Sequence, residues 1–473
     1  MKGLEIAEVL ASKVLKQTET RRIDPEYFQR QHLKDEALIS SRPDEFTSFK
    51  QIGIAVDASA FYPSIESYYG EGDLPFLRVA DVDSVIDFEG CTRIPEKLCD
   101  MYPTLSRVKP GDILFTKGGS VARVGLVTES AAASRDLIFL NSSKLPPEDQ
   151  AFLYLYFQTA FFNRKLLRSS SQTAQPHLTI TLVRELKILK VGQRLKDLAL
   201  EFVTKAFEAR ELSTGSQKEA EAILLNAIDL KNWHAPEPLS YVRSSSSVFA
   251  AGRLDAEHFQ EKYYALHKRL VRQPLGFSTI GQLASGLTNG AEIRQYQTDG
   301  TPYLRVGDIK NLTVDGDSVV KVDSSLAKKE LTKVGLIEGD VLVSRSGSLA
   351  VTAVVEPEWS HSLISSHLIR VRIEDHDYDP YYVALFLSAT PGRMQIFQWS
   401  NGGVQPEINQ PSLSRVVVPL IPKEIQIQLR ESVLQSRRER QRATEFLEAA
   451  KRAVEIAIEQ DEQAALQYLE AYS

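Results

Sequence analysis

The stretch that decides the fold is Val191 to Lys231, VGQRLKDLALEFVTKAFEARELSTGSQKEAEAILLNAIDLK, because nearly everything before it recurs in the same order after it. Leu195, Leu198, Phe202, Ala206 and Ala209 stand three or four residues apart with charges between them. That spacing places the apolar groups on one stripe of a helix, so the stretch predicts an amphipathic helix and not a strand. A second such run closes the chain. Leu429, Val433, Ser436, Arg440, Ala443, Leu447, Ala450, Val454 and Ala457 alternate steps of four and three, the period of a helix that takes a helical partner. At ~1.5 Å per residue each run makes a rod of about 60 Å, longer than an ordinary globular helix. Two rods separated by a globular unit predict an antiparallel pair that works as a spacer.

Outward from the central run, the chain reads as two copies of one module. Arg22-Ile-Asp24-Pro-Glu26-Tyr-Phe28 returns as Arg253-Leu-Asp255-Ala-Glu257-His-Phe259, and Leu77-Arg78-Val79-Ala80-Asp81 as Leu304-Arg305-Val306-Gly307-Asp308. Gly111-Asp112-Ile113-Leu114 returns as Gly339-Asp340-Val341-Leu342. Thr116-Lys117-Gly118-Gly119-Ser120 and Ser344-Arg345-Ser346-Gly347-Ser348 follow in parallel, each ahead of a further apolar strand. A β-rich run broken by glycines predicts a hairpin with a polar tip. Then come a helical pattern after a proline (147–165 and 380–398), a polar loop ending in Gln175-Pro176 or Gln405-Pro406, and a strand (186–189 and 416–420). Landmarks in one order at nearly constant offset mean duplication, and so long a period means two domains rather than a solenoid. The segment 232–247, rich in Pro and Ser, is read as a linker.

Composition limits what these domains are. The 473 residues exceed one ordinary core, and 43% hydrophobic with 25% charged residues is the balance of a soluble folded protein. Glu5 and Glu8 interrupt the apolar pattern of the first fifteen residues, which fits neither a signal peptide nor a membrane span and points to the cytoplasm. Cys91 and Cys99 form no Cys-x-x-Cys pair and have no echo in the second copy, so they read as free thiols and imply no structural zinc. A net charge of −6 counts mildly against a nucleic-acid binder working alone, since such domains are usually basic, but leaves room for cations gathered on one face.

No stretch makes a defensible catalytic site. Asp379-Pro380-Tyr381-Tyr382 resembles the Asp-Pro-Pro-Tyr signature of amino-methyltransferases but lacks the second proline, and reads as a helix start. There is no phosphate-cradling glycine loop. The eight histidines show no metal-ligand spacing, His361 and His367 lying six apart on an apparent strand. Arg437-Arg438-Glu439-Arg440 alternates with acid and reads as a solvated helix face or partner contact. What remains is the hairpin loops and the strand ends beside them. Lys117, Ser120 and Arg123 in one copy and Arg345, Ser346 and Ser348 in the other set cations and hydroxyls beside glycines that permit close backbone approach. Such groups suit DNA, where Arg or Lys bridges guanine O6 and N7 and Ser serves phosphate or base. Arg78 and Arg305 complete the candidate set; a solvated hairpin tip is the competing reading.

Asn401-Gly402-Gly403-Val404-Gln405-Pro406-Glu407-Ile408, followed by Val416-Val417-Val418-Pro419-Leu420-Ile421-Pro422, Glu424 and Gln426, resembles the close of a target-recognition domain. The family is the specificity subunit of type I restriction-modification systems. The first copy matches through Gln175-Pro176-His177-Leu178 and Leu186 to Leu189 but lacks the Pro-x-x-Glu-Gln lead into its helix, and even in the second copy Ile425 parts Glu424 from Gln426. The Arg-x-Asp-x-Glu-x-Phe openings are also similar to this family's. The resemblance implies an α+β fold of two target-recognition domains (1–190 and 248–421) alternating with two long helices (191–231 and 422–473) packed as an antiparallel coiled coil. It implies a non-enzymatic subunit with no cofactor and no metal. Its partners would be double-stranded DNA with a split, asymmetric target, methyltransferase subunits docked on the helices, and a restriction and translocase subunit joined through the complex. A stand-alone tandem DNA-binding protein and an adaptor carrying two protein-binding domains are the alternatives.

Overall fold

The computed structural model describes residues 8–12, 14, 25–61, 63–117, 123–169, 178–401 and 405–472. Val191–Lys231 forms one helix, Gln193–Ala227, of about 52 Å at ~1.5 Å per residue. Leu195, Leu198, Phe202, Ala206 and Ala209 are all buried on it. The closing run forms Lys423–Glu459 and then a separate helix, Glu462–Tyr472. Of its periodic positions, all but Arg440 are buried. The chain divides into two compact units, residues 1–209 with 442–473 and residues 210–441, so each unit contains part of both long helices.

In the first unit a four-stranded sheet sets Ile113–Thr116 between Val124–Leu126 and Leu137–Leu140, with Val56–Ala58 on the far side of the last. A second sheet pairs Leu74–Leu77 with Arg93–Ile94 and, in parallel, with Ala131–Ala133. Helix Pro147–Gln158 buries every residue from Ala151 to Phe157, which is why its sequence has no polar face to betray a period. Phe157 packs on Phe162 and Phe115 at centroid distances of 4.6 and 5.1 Å. Phe202 of the central helix meets Phe446 of the closing helix edge to face at 5.9 Å in the same core.

The second unit repeats the plan. Val341–Ser344 lies between Thr352–Val354 and Leu368–Ile373, with Ala284–Asn289 outermost. Thr301–Leu304 pairs in parallel with Leu363–Ile364 and antiparallel with Val320–Val322. The strands expected at 186–189 and 416–420 form as Lys187–Leu189 and Val417–Pro419, each paired with a short strand absent from the sequence reading, Phe46–Ser48 and Phe277–Thr279. The helical pattern after each proline is two helices and not one, broken at Thr159 and at Ala389, both extended. Thr159 takes the Phe162 N–H on its Oγ1 at 3.2 Å and so caps the second piece.

Asp379 accepts the Tyr381 N–H at 2.8 Å, the helix start expected of Asp-Pro-Tyr-Tyr. The arginine run of the closing helix is no simple solvated face. Arg437 pairs with Glu356 and Glu358, and Arg430 with Asp379. Burial pushes the Glu356 carboxyl up to about 7. Nearby on the two long helices the Ser213 and Ser436 hydroxyls, both buried, sit 3.0 Å apart. His361 and His367 do not share a strand, since His361 sits in a left-handed turn and His367 lies between two strands. The 232–247 linker is irregular until helix Ser245–Ala251 begins. Cys91 and Cys99 are free and buried, and burial pushes the Cys91 thiol up to about 12.

Candidate nucleic-acid interface

In the second unit three strands end at one place. Thr301–Leu304 runs into Arg305, Leu363–Ile364 into Ser365, and Val341–Ser344 into Arg345. Parallel pairing of Leu304 with Ile364 and antiparallel pairing of Ser344 with Leu368 bring those ends together. They border a cleft of about 570 Å³ lined by Tyr296, Arg305, Ser346, Ser348, His367 and Glu407, among others. Arg305, Ser346 and Ser348, far apart in sequence, thus share one recess. Arg345 stands behind its rim, its Nη2 3.3 Å from Glu407 Oε2.

The cleft residues differ in how free they are. Arg305 donates to both oxygens of fully buried Asp308 at 3.1 and 3.0 Å and to the Ser318 carbonyl at 2.6 Å. Its guanidinium is held more firmly protonated by the Asp308 hydrogen bond and faces the Tyr296 ring at 5.6 Å. Ser346 Oγ lies 2.5 Å from His367 Nδ1. Ser348 is exposed at the tip, where Gly347 takes φ +76°, a conformation that suits glycine. Ser365 Oγ is buried with no hydrogen-bond partner among the described residues, an unmet donor in the cleft lining.

The first unit is built on the same hydrogen bonds. Ser134 N–H donates to Leu77 O at 2.9 Å as Ser365 N–H does to Leu304 O at 2.8 Å. Lys117 N–H donates to Asp136 O at 2.8 Å as Arg345 N–H does to His367 O at 2.9 Å. Arg78 grips Asp81 through Nε at 3.1 Å and Nη2 at 3.4 Å, mirroring Arg305. Arg123 is exposed, and its N–H donates to Thr116 Oγ1 at 2.9 Å. Ser120 lies outside the described residues. Lys117 and Arg78 therefore stand where Arg345 and Arg305 stand in the other copy.

Two features of the site escaped the sequence reading. Glu407 is one. The other is the opening motif, where Arg253 clamps Asp255 at 2.8 and 2.7 Å and reaches the Ser400 carbonyl at 2.9 Å, anchoring the loop that carries Glu407. The repeat of Arg-x-Asp beside a repeated Gln-Pro loop was the available signal. Among the described residues no cluster of three or more His, Cys, Asp or Glu side chains is placed to hold a metal, and no helix is long and apolar enough to cross a membrane.

No family model and no curated protein matches the sequence. Among solved structures, the chain is similar to the S subunit of a type I restriction-modification system from M. genitalium. The identity is 12% and the TM-score 0.41, over 90% of this chain and 95% of that one. It is similar to the HsdS subunit from Thermoanaerobacter tengcongensis at 15% identity and TM-score 0.27, over 90% and 93% of the two chains. A structure described for complex assembly and conformational transition of a type I system is matched at 15% identity and TM-score 0.28, over 84% and 90%. The solved structures to which this chain is similar over most of its length thus include specificity subunits of type I restriction-modification systems.

Proposed function

We propose that this chain is a DNA target-recognition subunit, without catalysis of its own, that directs methyltransferase and restriction subunits to a bipartite and asymmetric target. One observation carries the reading. The same strand-end framework occurs twice, with the Arg78 and Arg305 clasps alike, and displays different side chains beside it, Lys117 in one unit against Arg345 in the other. Two equal frameworks with unequal displays suit a target whose halves differ, since phosphate contacts position a protein while base-edge contacts choose the sequence. In this reading the long helices are the spacer between half-sites and the docking surface for methyltransferase subunits, the restriction subunit joins through the complex, and the working compartment is the cytoplasm.

The net charge of −6 sets the test. Counterion release from phosphate contacts supplies most non-specific affinity, and an acidic chain gains little of it alone. The chain purified by itself is expected to bind duplex DNA weakly, and affinity to rise sharply when the methyltransferase that copurifies from the native source is added. A salt titration giving equal affinity with and without that partner, or a native preparation without any methyltransferase, contradicts the proposal.

A further inference from the structure

We infer that Arg345 and Glu407 act together as the reader of one G·C base pair, and that Lys117 occupies the corresponding reading position of the first unit. The inference rests on the DNA-recognition reading above. Arg345 is fixed from both sides of its peptide: its N–H donates to His367 O and its carbonyl accepts from Ile408 N–H, each at 2.9 Å. The second bond sets the residue before Ile408, which is Glu407, beside the guanidinium. Glu407 is held in turn by paired backbone bonds with Asn401, both 2.7 Å. Two groups 62 residues apart are therefore placed side by side with little backbone freedom, Glu407 lining the cleft and Arg345 next to it.

Their contact is not that of a structural clasp. Arg253 with Asp255 and Arg305 with Asp308 use two prongs on two oxygens, at 2.7 to 3.1 Å. Arg345 reaches Glu407 by a single 3.3 Å bond. Among the described residues, its Nε and Nη1 and the Glu407 Oε1 have no other partner. The Glu407 side chain is 50% exposed and that of Arg345 24%. What is left on display is Nη1, which with the second N–H of Nη2 makes a two-pronged donor, next to an acceptor. In the major groove guanine offers two adjacent acceptors, N7 and O6, and its paired cytosine offers the N4 amino donor beside them. An arginine on guanine with a carboxylate on the cytosine amino group satisfies all three.

The first unit carries the same clamp with different side chains. Lys117 O accepts from Leu178 N–H at 3.2 Å, as Arg345 O accepts from Ile408 N–H at 2.9 Å. Lysine is a point donor without arginine's planar fork, so this position is expected to read a different base pair.

The test is sequencing of methylated sites in cells that express the full chain with its native partner subunits, for wild type, Arg345→Lys and Glu407→Gln. The half-site read by the second unit should contain a G·C pair at which both variants lose discrimination, on the order of ten- to a hundredfold, with the other half-site unchanged. Relaxation at two different positions, even weakening across the site, or loss of all methylation by either variant makes the pair a structural clasp or phosphate contact and overturns the inference. A wild-type complex that methylates no defined bipartite site would instead sink the underlying reading.

Discussion

Arg305 reads in sequence as a free cation at a strand end, and the fold gives it a second task. Asp308 has no exposed surface and is clasped by the Arg305 guanidinium, with further hydrogen bonds from the Ser318 hydroxyl at 2.8 Å and the Arg305 N–H at 2.7 Å. Arg305→Ala leaves those two bonds and removes the counter-charge, so it should cost about 1–3 kcal/mol of stability, the range for stranding a buried acceptor. Ser348→Ala, at an exposed tip, should stay within about 0.5 kcal/mol. Chemical unfolding of both variants measures the difference, and equal effects would contradict this account of Arg305. The residue types of the site were legible because the repeat brings them up twice; their partners were not. Asp308 is three residues from Arg305 and visible in hindsight, but Glu407 meets Arg345 across 62 residues, a pairing that only the strand register determines.

Among the elements, the long helices were read to within a few residues at their starts because their apolar stripes are regular and their opposite faces charged. The paired helices after each proline were read as one because the first of each pair is buried nearly all round and gives no period, although Pro391-Gly392 in the second copy is a break signal. Just past the second break Gly392 lets the two helices pack closely. A Cβ there would stand 2.2 Å from Phe386 O and 2.4 Å from Leu387 Cα, backbone atoms that cannot swing away. Gly392→Ala gains up to about 1 kcal/mol of helix propensity but loses about 1–3 kcal/mol to overpacking. The expected net result is a lower unfolding temperature, and a more stable variant would show that the two helices are not in close contact. The partner strands Phe46–Ser48 and Phe277–Thr279 escaped notice because three residues are too few for alternation to be recognised.

At the scale of the whole molecule, duplication was legible from order and offset alone, whereas the division of the chain was not. Each unit takes part of both long helices, and the chain passes from one unit to the other after Ala209 and after Gln441. No composition shift marks either point, since a helix core looks the same on both sides of it. Those points make the central proposal testable. Four residues inserted after Ala209, with a matching four after Gln441, lengthen both helices by about one turn, or ~6 Å, while nearly preserving their apolar faces. DNA rises ~3.4 Å per base pair along each strand. Sequencing of methylated sites with this variant and its native partner subunits is the most direct measurement. The account predicts two half-sites of unchanged sequence moved apart by one or two base pairs; an active variant that keeps the wild-type spacing would contradict it.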